Sequence, residues 1–234
     1  MTPDMMPMSF SPSRRLLFTC ALMIFLLASW LLYQPAFALQ TEQRSYLIRR
    51  GSERYFCQWE RKQGDQVTVI TRQKSEECTS VFDPQNESLL LLVKDINTKI
   101  EARRTGDTLF VAGTLNGRKV DRQYTLDGAP WYQVISYSLH DFVLGDRKEM
   151  EFWMLHPETF VPYKMRAVKE GIETISVCGR KVEVQKVRLR IKGALSLFWH
   201  GDSWYRTGDG LLVLYKSLNG PPGSSQTMIE YVGP

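Results

Sequence analysis

Histidine, cysteine, arginine and tryptophan are the side chains with which this chain could do chemistry, and each type is sparse or unusually placed. There are three histidines: His140, His156 just before Pro157, and His200 ahead of Gly201-Asp202. A hydrolytic site built from His156, His200 and Asp202 needs a base within hydrogen-bond reach of the proton it takes. Those residues lie on separate segments, and nothing in their spacing draws them together. No Gly-x-Ser-x-Gly elbow, phosphate-binding glycine loop or His-Glu-x-x-His helix is present. The cysteines form no Cys-x-x-Cys pair or Cys/His cluster of metal-ligand spacing. The chain therefore reads as non-enzymatic, with no catalytic residue, metal or cofactor expected and a hydrolase as the outlying alternative.

Of four cysteines, Cys20 lies in an apolar N-terminal run, which leaves Cys57, Cys78 and Cys178. An oxidising compartment permits one disulfide among three thiols. Cys178 sits beside Gly179-Arg180 in an apparent hairpin turn, so the expected bridge is Cys57 with Cys78. A regular meander opposes it, because strands one apart lie about 10 Å from each other and a bridge spans at most about 7 Å.

Two further groups could bind rather than react. Lys186, Arg188, Arg190 and Lys192 share one parity on one strand, so they project from one sheet face, opposite Val187, Leu189 and Ile191. They are either a solvated face balanced by carboxylates or a contact for anionic head groups or cell-wall polymers. The aromatics form the second group. Trp153, Tyr163, Phe198, Trp199, Trp204 and Tyr205 follow a helical segment that holds Trp131 and Phe142. Most of these read as core, yet a sheet closed by one helix leaves an apolar space of the kind ligands use. The candidate ligand residues are Trp131, Ile135, Leu139, Phe142, Trp153, Trp199 and Trp204.

The elements that must position these groups follow an N-terminal segment, residues 1–38. Arg14-Arg15, an apolar run from Leu16 to Leu32, Pro35 and Ala36-Phe37-Ala38 have the three parts of a secretory signal. Cleavage after Ala38 is expected, leaving one exported domain, residues 39–234, in the periplasm of a Gram-negative bacterium. The net charge of +5 is mild, and export makes nucleic acid a poor partner. A lipid-like ligand or an envelope partner suits the location better.

Turn signals recur from Arg50-Gly51-Ser52 through Thr105-Gly106-Asp107, Asn116-Gly117 and Cys178-Gly179-Arg180, separated by alternating or short apolar runs. This is the pattern of antiparallel hairpins. Within KVEVQKVRLRIKG the apolar parity changes at Gln185-Lys186, which predicts a β-bulge. The exception is GAPWYQVISYSLHDFVLG, residues 128–145. Pro130 suits a first helical position and Gly145 a C-terminal cap, while Trp131, Val134, Ile135, Leu139 and Phe142 recur at helical spacing. A helix over 130–144 is expected, with its apolar face against the sheet.

This order of a leader, a meander, one helix and then the strands through EFWMLHPETFVPYKMRAVKEG, KVEVQKVRLRIKG and SLFWHGDSWYRTGDGLLVLYKSLNG resembles an uncharacterised family of exported bacterial proteins. Their architecture is similar to the half-barrel of periplasmic lipoprotein carriers, although those offer several helices and this chain one clear one. The resemblance implies a mainly β fold, a strongly curled antiparallel sheet closed by the helix. With it comes a non-enzymatic envelope protein that holds an apolar or amphipathic ligand. The alternative is a structural or assembly factor acting through the basic strand or a sheet edge.

Overall fold

The computed structural model describes residues 40–193, 199–218 and 224–234. The expected secretory leader, Cys20 and Phe198 lie outside them. Eight strands come first: β1 (Gln40–Arg50), β2 (Glu53–Gln63), β3 (Val67–Gln73), β4 (Glu76–Phe82), β5 (Ser88–Asp95), β6 (Thr98–Thr105), β7 (Thr108–Leu115) and β8 (Arg118–Thr125). Two short helices follow, α1 (Ile135–Ser138) and α2 (His140–Leu144). Then come β9 (Glu149–Leu155), β10 (Pro162–Val177), β11 (Arg180–Ile191), β12 (His200–Arg206), β13 (Leu212–Leu218) and β14 (Gln226–Gly233).

The fold is mainly β, as expected, with a single 14-stranded sheet in the order β8-β7-β6-β5-β4-β3-β2-β1-β14-β13-β12-β11-β10-β9. Every strand pairing is antiparallel. The first and last strands, β1 and β14, pair in the middle, and β8 and β9 stand at the edges, so the sheet is not the closed or strongly curled half-barrel expected. Period-two alternation builds the strands. In β6, Ile100 and Ala102 are buried while Glu101 is exposed, and in β7 Leu109 and Val111 are buried around exposed Phe110. Asn116 and Gly117 both have positive φ, the requirement of the tight hairpin turn that twists with its strands.

The expected helix over 130–144 is shorter and broken. Residues 130–133 are instead a strand fragment stitched between two strands. The Ser88 N–H donates to the Trp131 carbonyl (2.7 Å), the Trp153 N–H to the Pro130 carbonyl (2.7 Å) and the Tyr132 N–H to the Trp153 carbonyl (2.8 Å). The Gln133 side chain adds a pair of bonds to the Leu155 backbone, accepting at Oε1 (2.9 Å) and donating from Nε2 (3.1 Å). Aromatic and β-branched residues have weak helix propensity, so these backbone bonds decide the conformation of Trp131 to Val134. Leu139 separates α1 from α2. Gly145 ends α2 as expected, with its N–H on the Asp141 carbonyl (3.0 Å). A Cβ there would lie 2.9 Å from that same oxygen.

The helical segment touches two cores. Leu139, Phe142 and Val143 pack with Phe152, Met165, Val187, Leu189 and Tyr205, on β9 to β12. Val134 and Tyr137 pack on the cluster of Tyr46, Trp59, Val69 and Phe82, on β1 to β4. The predicted bulge in β11 is not there. Pairing of β11 with β12 runs unbroken from Val184 to Arg190, and the extra residue is Glu170 on β10, where the register shifts between Lys169 and Gly171. Parity changes along β11 because Val182 and Val184 join a separate cluster with Val177, Trp204 and Leu211.

Candidate functional site

A cavity of about 350 Å³ lies between the start of α1 and the inner face of the sheet. Its strand wall is Tyr46 and Ile48 of β1, Cys57 and Trp59 of β2, Ser80 of β4, and Leu91 and Val93 of β5. Val134, Ile135, Met154, Leu155 and Phe160 form the other side. A second space of about 530 Å³ shares Ile48, Gln73, Met154, Pro157, Tyr215 and Ile229 with the first. It extends to Arg50, Tyr55, His156, Glu158, Tyr163 and Trp199. The two chambers adjoin through these shared walls, and each falls in the size range, about 300–1,000 Å³, typical of small-molecule sites.

Polarity is graded along the inner face of β4. Glu76, Cys78, Ser80 and Phe82 run inward from the β3–β4 turn, from carboxylate to fully buried ring. Neighbouring β3 repeats the trend, with Gln73 and Thr71 before Val69 and Val67. Glu76 is held at the polar end, its Oε1 accepting from Gln73 Nε2 at 2.7 Å. Deeper in, the Tyr46 hydroxyl, Trp59 Nε1 and Ser80 Oγ are buried without a hydrogen-bond partner among the described residues. Burial pushes the Tyr46 phenol up to about 12, with the nearby Arg44 charge offsetting part of that rise.

The expected Cys57–Cys78 bridge is a correction: Cys57, Cys78 and Cys178 are all free thiols. Cys57 pairs with Gln73 and Cys78 with Thr71 across the same β3, so a whole strand separates them and the meander geometry prevails. Burial pushes the Cys57 thiol up to about 11, with Glu76 adding to the rise, and raises Cys78 for the same two reasons. Thiols so placed stay protonated at neutral pH and are poor nucleophiles. Cys178 is in the β10–β11 hairpin turn, with positive φ.

Of the seven expected ligand residues, the structure brings two to the cavity: Ile135 to the first chamber and Trp199 to the second. Trp131, Leu139 and Phe142 are fully buried core. Trp153 donates from Nε1 to Asp127 (2.8 Å) outside the cavity. Trp204 sits on the far face, its indole donating to Glu173, with Lys186 and Lys216 over its ring at 5.5 and 5.6 Å. The residues that sequence reasoning missed are on β1 to β5: Tyr46, Trp59, Cys57, Cys78, Ser80, Leu91 and Val93. The available signal was the run of small or polar residues at inward positions of β3 and β4.

On the basic strand, Lys186 pairs with Glu170 and Asp202 at 3.2 and 3.3 Å, Arg188 with the same two at 2.7 and 2.9 Å, and Lys192 with Glu151 at 2.8 Å. Arg190 is exposed, and among the described residues no carboxylate pairs with it. His140 lies against Asp141 (2.8 Å), His156 lines the second chamber, and His200 pairs with Arg190 on the neighbouring strand. The three histidines are thus not brought together. Among the described residues no cluster of His, Cys, Asp and Glu could hold a metal ion, and no helix is long and apolar enough to cross a membrane.

No protein-family model matches the chain, and no curated protein matches it in sequence. Among solved structures it is similar to a β-barrel-like protein of the domain of unknown function DUF1849 from Brucella abortus. The identity is 9%, the match covers 83% of this chain and 96% of that one, and the TM-score is 0.56. It also matches the hypothetical lipoprotein YmcC from Escherichia coli, at 12% identity over 90% and 94% of the two chains, with a TM-score of 0.38. A DUF1329 family protein from Desulfovibrio piger matches at 10% identity over 84% and 85%, with a TM-score of 0.30. At 9% identity the first likeness is one of fold alone.

Proposed function

We propose that this is an exported, non-enzymatic envelope protein that holds an apolar or amphipathic molecule between its sheet and its helical segment. In this reading the strand fragment at 130–133, bonded both to Ser88 and to Trp153, holds α1 over the inner face of the sheet. The observation that carries the proposal is the two-chambered space, apolar at depth and polar at one end. A well-packed core leaves few voids larger than a water molecule, so a space this size beside Trp59, Leu91 and Ile135 suits an occupant. The basic strand gives an assembly-factor alternative less support, because Glu170, Asp202 and Glu151 neutralise most of it.

The test is native mass spectrometry of protein purified from its own host under mild conditions. A bound species of lipid-like mass, released by organic solvent and identified after extraction, is the expected result. Unliganded protein from the host, together with failure of any amphiphile to bind in vitro, would overturn the reading.

A further inference from the structure

The second chamber carries a charge arrangement that the apolar depth does not explain. Arg50 is the last residue of β1, fixed between Glu53 of β2 and Thr227 of β14. Its guanidinium Nη2 meets Glu158 Oε1 at 3.0 Å, and the two side chains are 48% and 64% exposed, so this end of the chamber reaches solvent. Glu158 belongs to the β9–β10 connection, residues 156–161, which is held by its own backbone bonds: the His156 N–H donates to the Val161 carbonyl and the Phe160 N–H to the His156 carbonyl, each at 2.9 Å. The cation is therefore on the sheet and the anion on a loop. His156 lines the same chamber, and its Nδ1 accepts from the Glu158 N–H at 3.2 Å. In the neutral ring that leaves the hydrogen on Nε2, a second donor. Glu76, by contrast, lines only the first chamber, where its charge opposes entry of an anion.

We propose that the ligand is a single-chain amphiphile with an anionic head group, tail in the first chamber, and that its head takes the place of the Glu158 carboxylate on Arg50. This rests on the reading of the cavity as a ligand site and adds the ligand's class and direction. Guanidinium groups bind carboxylate and phosphate oxygens alike, so a fatty acid and a lysophosphatidic acid share the required chemistry. Glu158 then acts as an internal stand-in that keeps Arg50 paired when the chamber is empty and competes with the incoming head.

The test uses delipidated wild-type protein and displacement of a fluorescent fatty acid by four probes of matched chain length: a fatty acid, a lysophosphatidic acid, the corresponding fatty alcohol and an alkyltrimethylammonium. The two anionic probes should bind at least about tenfold more tightly than the alcohol and the cation, the scale of one hydrogen bond to a charged group. Preference for one anion over the other then separates carboxylate from phosphate. Arg50→Glu should abolish the preference for the two anions over the alcohol, and Arg50→Lys should restore part of it. Glu158→Gln should tighten the anions roughly threefold relative to the alcohol, the scale of removing an exposed competing ion pair. Equal binding of all four probes, preference for the cation, or an Arg50→Glu variant that keeps its anion preference would overturn the head-group assignment. If none of the four binds the wild type, the failure lies with the cavity reading itself.

Discussion

Ser80→Leu should make the empty protein more stable and the ligand-bound protein harder to form. Ser80 is 1% exposed, faces the first chamber, and its Oγ has no partner among the described residues. Its cross-strand neighbours are Val69 and Leu91, both buried. Leucine replaces the hydroxyl with three carbons, worth about 0.8 kcal/mol each when buried, and removes a desolvated hydroxyl that costs about 1 kcal/mol or more. Fixing the leucine rotamer returns about 0.5–1 kcal/mol. The balance is a gain of about 2.5 kcal/mol, or roughly 5–10 °C in Tm for a domain this size. The same carbons occupy volume that a ligand tail would use. Losing two methylenes' worth of contact, about 1.5 kcal/mol, weakens binding roughly tenfold. Urea melts of delipidated protein give the first quantity and fluorescent fatty-acid displacement the second, with Ser80→Ala as the control that removes the hydroxyl without filling space. In a packed site the added carbons would instead destabilise by about 1–3 kcal/mol. That result would refute the cavity, and a stabilised variant with unchanged binding would refute its use.

Three further outcomes follow from individual groups. A thiol reagent at neutral pH should label Cys178 quickly and leave Cys57 and Cys78 until unfolding, because burial keeps both protonated, Cys57 with a pKa of about 11; fast labelling of all three would mean that water floods the first chamber. The Lys164 ammonium, and after it the Trp153 indole N–H, hold Asp127 down at about 2, from an ordinary 3.8. A depressed carboxylate contributes stability above its unfolded value and loses it as pH falls through the folded one, so wild type should exceed Asp127→Asn in urea melts at pH 7, with the gap closing between pH 4 and 2; a constant gap would refute the assignment. Arg188→Glu should cost about 1 kcal/mol by facing Glu170 and Asp202 with a third carboxylate, whereas Arg190→Glu should stay within about 0.5 kcal/mol. Neither should alter binding to anionic vesicles at low salt, and loss of binding in Arg190→Glu would restore the surface-contact role.

Strand grammar was legible because it is local. Alternation in β6 and β7 and the Asn116-Gly117 turn each need only a few neighbouring residues, and they came out as read. The helix was half legible for the opposite reason. Trp131, Ile135, Leu139 and Phe142 are spaced as a helix face would be, yet the Trp131 carbonyl accepts from Ser88, its N–H donates to the Glu87 carboxylate, and Pro130 and Tyr132 on either side bond to the backbone of Trp153. The spacing of side chains carries no record of where a main-chain N–H will be satisfied. The parity change on β11 misled in the same way. Val182 and Val184 gave up the inner face for a second cluster built around Trp204, and a sequence pattern does not distinguish two apolar faces from one face with a bulge.

The cavity was hidden by an ambiguity of chemistry rather than of distance. An inward residue that meets another side chain and one that meets a space obey the same period-two rule, so nothing in the sequence separates Tyr46, Trp59, Leu91 and Val93 from packed core. Seeking the ligand among the tryptophans favoured large side chains, which are the ones that fill space and so end as packing, as Trp131 did. What marks a cavity is the reverse: short or polar residues where burial is expected. Thr71, Gln73, Cys78 and Ser80 form such a run on two adjacent strands, beside Glu76, and the one large residue that continues it, Phe82, lies where Tyr137 closes over it at a ring separation of 4.6 Å. The gradient from Glu76 to Phe82 is therefore also a direction. It runs within the first chamber from the β3–β4 turn toward the end where Tyr137 of α1 covers Phe82, the end that suits the terminus of an apolar tail.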